Sequence, residues 1–399
     1  MMQKGKIKIS IIGAGMFGGS VVKVGSELDI PGIILNASSD DIQSLMIDNN
    51  EFVTAFVVGD GRGTGKNRDI ARQFLLEHST IFEDAKFTST IDESDVIIVA
   101  GSAGGGFGSG SVPTIVEILR KLYPLELYPE KTFIPLTVLP DTSEVLIAQD
   151  HSKAFLRDIL KQEVPYIIYD NEKFKGDQSN VVYEKILATI KQDLRILRGD
   201  YIIGVKKSGD GSNMDPRDLL TVISVPGRIC LGLSEPFKKN DSKTPIDTMK
   251  ALMDESAHAE IENDKVVIAS AVMYNLSEES LESCNGERIS SEMTEIFGVR
   301  VGDYKNEVTY DGIGNQFMSV IVTGLSAPNT RINQIIDIFK KRDNVLISRQ
   351  QSTNNLFADD NELSSNVRLG ARSLPNNTSE ASKLKKPDLA SIMKDYLGK

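Results

Sequence analysis

The sequence predicts an α/β fold with a parallel sheet and a phosphate-bearing ligand at the C-terminal ends of its strands. Three observations predict it. Short β-branched runs alternate with segments of helical apolar spacing, several strand–helix joints are glycine-rich, and past Ser224 the glycine loops stop and a smaller α/β unit begins. In open parallel sheets, ligands lie across the C-terminal strand ends.

The stretch Val96 to Arg120 is the centre of this pattern. Val96–Val99 reads as a buried strand, and Ile115, Val116, Ile118 and Leu119, after Pro113, read as one face of a helix. Between them lie Gly104, Gly105, Gly106, Phe107, Gly108, Ser109 and Gly110. So many missing Cβ atoms let backbone N–H groups point at an anion on the positive end of the following helix. A ligand-free tight turn needs fewer glycines than five in seven residues.

Upstream, Lys6–Ile12 predicts a strand and Ser20 onward a helix, joined by Gly13, Ala14, Gly15, Met16, Phe17, Gly18 and Gly19. This G-x-G-x-x-G joint reads as a phosphate turn of the dinucleotide type, a signal that alone discriminates weakly and keeps an NAD(P)-dependent oxidoreductase with a Rossmann domain as an alternative. The second strand, Ile33–Asn36, ends in Asn36, where an NAD site wants an acid. Asp40 and Asp41 follow; they read either as helix N-caps or as holders of a metal through water.

A third loop, Gly59–Asp69, precedes a helix over Ile70–Glu77. A P-loop is excluded, because its first glycine falls on Asp60 and Asn67 replaces the magnesium-binding hydroxyl. Gly61, Gly63, Thr64, Gly65, Lys66 and Asn67 read instead as a flap over a terminal phosphate. Three glycine loops exceed what one dinucleotide turn needs.

Strands over Thr132–Leu139 and Tyr166–Tyr169 end in segments carrying Asp141 and Glu144, and Asn171 to Lys173. A long helix, Val181–Leu197, carries Ile186, Leu187, Ile190, Leu194 and Leu197 as a core stripe. The loop 207–213 then delivers Asn213, Asp215 and Asp218 to a helix over Asp218–Ile223. Asp215 and Asp218 read as an N-cap with a solvated neighbour or as paired acids. In the second unit, strands over Lys265–Tyr274 and Phe317–Thr323 and a helix over Arg331–Arg342 are expected, the helix with Ile332, Ile335, Ile336 and Phe339 inward.

The net charge of −11 opposes broad contact with nucleic acid or anionic membrane, so any DNA link is expected to be indirect. Cys230 and Cys284 are too few for a disulfide framework, and His78, His151 and His258 show no metal-ligand spacing. No signal peptide or membrane span is expected, which implies a cytoplasmic protein without a membrane partner. After Asn344 the composition turns to Asn, Ser, Gln and Asp, a flexible tail. Its end gathers Lys383, Lys385 and Lys386 with Leu389, Ile392, Met393, Tyr396 and Leu397, which reads as a partner-binding amphipathic segment or a solvated end.

With these motifs in order, the first 225 or so residues resemble the tubulin/FtsZ superfamily of GTPases. Gly104–Gly110 is similar to its signature G-G-G-T-G-[ST]-G, and Asn213 to Asp218 matches the N-x-D-x-x-D catalytic loop. Gly61–Asn67 looks like the γ-phosphate loop, Asn36 heads a segment similar to N-T-D, and Asn171–Lys173 resembles the base-contacting N-[DE]-K. Phe107 stands in place of the signature Thr, Ala37 and Ser38 replace Thr-Asp, and Glu144, matched to a ribose contact, lacks the Arg expected after it. Asn180 and Tyr183 are candidates for contact with the base.

The resemblance implies GTP/GDP with Mg2+ as ligands, Asn213, Asp215 and Asp218 as catalytic residues acting on a neighbouring copy, and head-to-tail filaments. The tail lacks the D-[IV]-P-x-F-L motif of cell-division FtsZ, and the divergent loops look most like the TubZ group of plasmid and phage partition proteins. That group implies a DNA-binding adaptor of the TubR type at the tail; FtsZ-type cell division is the alternative. The expected organisation is a GTP-binding domain over 1–180, a central helix and catalytic loop over 181–224, an activation domain over 225–345 and a tail over 346–399.

Overall fold

The computed structural model describes residues 6–47, 50–203, 214–237, 247, 251, 256–262, 268–282, 291, 304–310, 312, 314–341 and 389. A single sheet runs through it in the order β3-β2-β1-β4-β5-β6-β7-β10-β8-β9. The strands are β1 (Ile9–Ala14), β2 (Gly32–Asn36), β3 (Val53–Val57), β4 (Val96–Ala100), β5 (Thr132–Leu139), β6 (Pro165–Asp170), β7 (Gly227–Ser234), β8 (Ala269–Leu276), β9 (Tyr304–Thr309) and β10 (Phe317–Leu325). From β3 to β7 all neighbours are parallel, as the alternating pattern predicts. β10 then runs antiparallel to both β7 and β8.

Every residue of β1, β4, β5 and β6 is buried, because helices cover both faces of this part of the sheet. These are α1 (Gly15–Ser26), α2 (Ser39–Ser44), α3 (Arg68–Glu77), α4 (Ala85–Asp92), α5 (Phe107–Leu122), α6 (Leu146–Leu160), α7 (Ser179–Leu197) and α8 (Pro216–Ile223). A further helix covers 329–341.

The core divides by sheet face. Ile11 belongs to one apolar cluster and Ile12, pointing the other way, to a second. The first cluster runs from β1 past Ile190 and Leu194 of α7 to Met273 and Phe317, joining both units; on the opposite face Cys230, Val272 and Met318 form a third, separate cluster. The sheet crosses between the units where Pro165 and Tyr166 pair with Gly227 and Arg228.

Helices α3, α7 and α8 begin two residues before their apolar spacing predicts, and α1 and α5 about a turn or more before. Helix α1 starts at Gly15 rather than Ser20, and α5 at Phe107 rather than after Pro113, so the glycine motifs form first turns of helices. Glycine's poor helix propensity hides these turns, and tertiary packing overrides it. Pro113 is accommodated inside α5, because the carbonyl its missing N–H leaves free, that of Ser109, accepts from Arg68 Nη2 at 3.1 Å.

Strands β7 and β9 lack a clear signal: β7 contains Gly227 and Gly232, and β9 is rich in polar residues. The strand expected from Lys265 starts at Ala269, with 263–267 outside the described residues. Asn213, the loop 207–213 and Cys284 also lie outside them, as does the tail apart from Leu389, which is buried. Among the described residues no helix is long and apolar enough to cross a membrane.

Candidate functional site

At the C-terminal ends of β1 and β4, the N-termini of α1 and α5 open onto one cleft of about 450 Å³, a volume in the range of small-molecule sites. Ala14, Gly15, Met16 and Phe17 line one side and Gly105, Gly106, Phe107 and Gly108 another. Both helices start without a side-chain cap and without an acid in the first turn, as do α6 and α7, whose starts do not line the cleft, whereas α2, α3, α4 and α8 are capped by Ser38, Asn67, Asp84 and Asp215. The first N–H groups of α1 and α5 are thus left to a ligand, and the two dipoles favour an anion.

The glycines serve two different physical ends. None in Gly104–Gly110 has positive φ; a Cβ on Gly110 would overlap the Arg68 carbonyl, so this glycine lets α5 press against the start of α3. In the flap, by contrast, the backbone turns left-handed, Gly65 at φ 58° and Lys66, without glycine's freedom, at φ 59°. The flap lies on the signature turn: a Cβ on Gly106 would come within 2.7 Å of both Lys66 Cα and Thr64 Oγ1.

Gly63, Thr64, Gly65 and Lys66 line the cleft, while Gly61 lies behind them and Asn67 caps α3 by accepting from the N–H groups of Asp69 and Ile70. Gly13 belongs to β1, and Gly18 packs so closely under Ala100 that a Cβ there would overlap its carbonyl. Gly104 abuts Ala148 and Pro140, and Ser109 turns its hydroxyl back to the Gly105 carbonyl, so neither lines the cleft. Phe107 lines it with its ring largely packed into the core.

Of the two aspartates after β2, Asp41 lines the cleft and Asp40 does not. Neither caps α2; Ser38 does, its Oγ accepting from Asp41 N at 3.1 Å. Asn36 donates Nδ2 to Asp41 Oδ2 at 3.2 Å and accepts from Ser38 N at 3.1 Å, fixing the carboxylate beside the glycine loops. Among the described residues no three His, Cys, Asp or Glu side chains gather to hold a metal. A lone carboxylate suits Mg2+, which takes its remaining ligands from phosphates and water.

Tyr183 of α7 closes the cleft, donating to Ser20 Oγ at 2.7 Å and meeting Phe17 edge-on. Burial raises its pKa, so it is a neutral hydrogen-bonding group at neutral pH. Asn180, one turn earlier, is exposed. Asp141, Glu144 and Asn171 form a group of their own beyond the signature turn: Glu144 Oε1 accepts from Asn171 Nδ2 and from Asp141 N, each at 3.2 Å. Sequence reasoning gave no role to Ser102, which lines the cleft after β4 and carries no glycine signature.

Asp215 and Asp218 stand apart from this cleft. They form a capping box: Asp215 Oδ1 accepts from Arg217 N at 2.7 Å and Asp218 N at 3.0 Å, and Asp218 Oδ2 accepts from Asp215 N at 2.9 Å. Asp215 is exposed and Asp218 half-buried.

Residues 26–177 match the model of the Tubulin/FtsZ family, GTPase domain. A cell division protein FtsZ of Haloferax mediterranei is 24% identical over 334 residues, 80% of this chain and 81% of that protein. Among solved structures, CetZ from Methanosaeta thermophila aligns with a TM-score of 0.64 at 20% identity over 88% of this chain and 96% of its own. A GTPγS-form protofilament of TubZ from Bacillus thuringiensis serovar israelensis aligns with a TM-score of 0.64 at 16% identity over 88% of this chain and 95% of its own. Residues 26–177 are thus similar to the family's GTPase domain, and the chain shares the fold of the tubulin-like solved structures.

Proposed function

We propose that this protein is a GTPase that polymerises head to tail and hydrolyses GTP at the contact between copies. The observation that carries the reading is a division of labour. One region of the chain holds two uncapped helix N-termini and a flap with Lys66; another presents Asp215 and Asp218 at the start of α8, outside that cleft. A copy that brings its α8 start to its neighbour's cleft adds two acids to a cleft lined by Asp41, and such a heterologous contact repeats into an open filament.

In this reading the N–H groups of Gly15–Phe17 and Gly106–Gly108 bind the phosphates, and the flap from Gly61 to Asn67 covers the terminal one. Bound Mg2+, held by Asp41 with water and phosphate oxygens, would neutralise charge developing on the phosphates. Asn213, Asp215 and Asp218 of the adjoining copy orient the attacking water, which adds to the γ-phosphorus as the bond to the β–γ bridging oxygen breaks. Tyr183, Asn180, Asn36, Asp141, Glu144 and Asn171 take the nucleoside side. Residues 225–345 act as the second, activation domain, and the GTP-binding domain ends near 180.

For the cellular role we propose partition of plasmid or phage DNA, through a TubR-type adaptor on the tail and with DNA bound only indirectly in the cytoplasm; similarity in fold to TubZ supports it. Cell division is the second reading, favoured by the FtsZ relative. Co-sedimentation of filaments with a small DNA-binding adaptor and its cognate DNA tests partition, and recruitment to the division site tests the other. GTP-dependent sedimentation with parallel phosphate release tests the reading common to both; a chain that binds GTP but neither sediments nor releases phosphate overturns it.

A further inference from the structure

We propose that Arg331, on the helix over 329–341, is the positioning residue that sets the two nucleoside-side loops and thereby the discrimination between purine bases. The inference rests on reading Asp141, Glu144 and Asn171 as that side of the site. Arg331 comes from far along the chain yet is buried with 6% exposure, and Asp170, at the end of β6, with 4%. Its Nε–H is shared between Asp170 Oδ1 and Oδ2 at 3.1 and 3.0 Å, and its Nη2 donates to the Pro140 carbonyl at the end of β5. One guanidinium thus ties together the C-terminal ends of two adjacent strands.

Each strand end passes the constraint on. Asp170 Oδ1 also accepts from Glu172 N at 3.1 Å, which starts the turn bearing Asn171. Glu172 returns to the other loop, accepting from Thr142 N at 2.6 Å and Thr142 Oγ1 at 3.0 Å. The loops meet where Asn171 Nδ2 donates to Glu144 Oε1 at 3.2 Å. A fork-shaped cation is needed for this geometry, since a lysine ammonium is a point charge and does not present the same rigid array of donors.

The base is read by side chains that hydrogen-bond its edge, so a shift of the two loops weakens guanine more than hypoxanthine, which lacks the exocyclic amino group. The helix bearing Arg331 belongs to the second unit, so that unit reaches the nucleoside side without touching the phosphate cleft.

The test measures GDP, IDP and pyrophosphate affinities for the full chain and for Arg331→Met, Arg331→Lys and the neutral pair Arg331→Met/Asp170→Asn. The pair removes the uncompensated buried carboxylate and keeps the variant folded, while the introduced amide retains an oxygen for Glu172 N. The expected result is a GDP affinity about 10-fold or more lower in both Met variants and in the Lys variant, with the preference for GDP over IDP collapsing. Pyrophosphate affinity stays within about two-fold, because its contacts lie on a separate set of loops. A folded variant pair that keeps the wild-type GDP/IDP ratio overturns the inference. A wild-type chain that binds neither GDP nor IDP overturns the nucleotide reading itself, and the inference with it.

Discussion

Arg68 donates its Nη2 to the Ser109 carbonyl at 3.1 Å, filling the place of the N–H that Pro113 lacks one turn later in α5. The same nitrogen pairs with Asp158 Oδ2 at 2.8 Å, and its side chain is mostly buried. The start of α3, the signature helix α5 and helix α6 are therefore held at one point. Arg68→Met is expected to cost about 2–3 kcal/mol of folding stability, the scale of a lost charged hydrogen bond and a partner left alone. Pro113→Ala supplies a backbone donor, so in a double-mutant cycle by urea unfolding the Arg68 substitution costs less in that background. Strict additivity would contradict the relationship.

Gly110 offers a sharper test of the same junction. A Cβ there overlaps the Arg68 carbonyl and comes within 3.1 Å of Ala71 Cβ. Gly110→Ala pushes α3 from α5 and is expected to destabilise by about 1–3 kcal/mol as an overpacked site, while lowering GTP affinity through the displaced flap. Thermal unfolding and equilibrium binding of a fluorescent GTP analogue check both parts; an unchanged affinity contradicts the packing argument.

Asp215 and Asp218 have a structural role that the charge hypothesis must be separated from. Asp215→Ala removes the N-cap of α8 and costs about 1 kcal/mol, whereas Asp215→Asn keeps a capping oxygen and removes the charge. Both Asp215→Asn and Asp218→Asn are expected to bind GTP with wild-type affinity, to lose hydrolysis by about 100-fold or more, and to leave filaments that persist. Wild-type turnover in either contradicts the catalytic assignment.

Acid sensitivity has an identifiable source at Asp200. Burial raises its pKa, but hydrogen bonds and charge from Arg198 and Lys6 outweigh burial and hold it below the ordinary carboxylate range. Its contribution is present above the unfolded-state value and is lost as pH falls through the lower folded-state value. Wild type should therefore lose more melting temperature than Asp200→Asn between about pH 5 and pH 3. Parallel losses in the two proteins contradict the assignment.

The alternation of strands and helices and the three glycine segments were legible because each is a local signal. Where glycine fills the first turn of a helix, as from Gly15 and from Phe107 to Gly110, apolar spacing places the start too late. The role of Arg68 depends on a proline in another helix, and no spacing rule connects them. Ser38 and Ser102 line the cleft with small polar side chains common in any loop. Arg331 reaches Asp170 across 161 positions, a contact that only the folded chain creates. Asp215 and Asp218 were legible as an N-cap with a solvated neighbour; that the neighbour, Asp218, accepts from Asp215 N emerges only in the folded helix start.

An active site completed between copies makes turnover depend on assembly. Right-angle light scattering and phosphate release, followed together after addition of GTP and Mg2+ over a range of protein concentrations, test it most directly. With GTP, scattering is expected to rise and turnover per chain to climb cooperatively with concentration, staying near zero in dilute protein. Turnover per chain independent of concentration, without scattering, would contradict it by showing that one copy suffices.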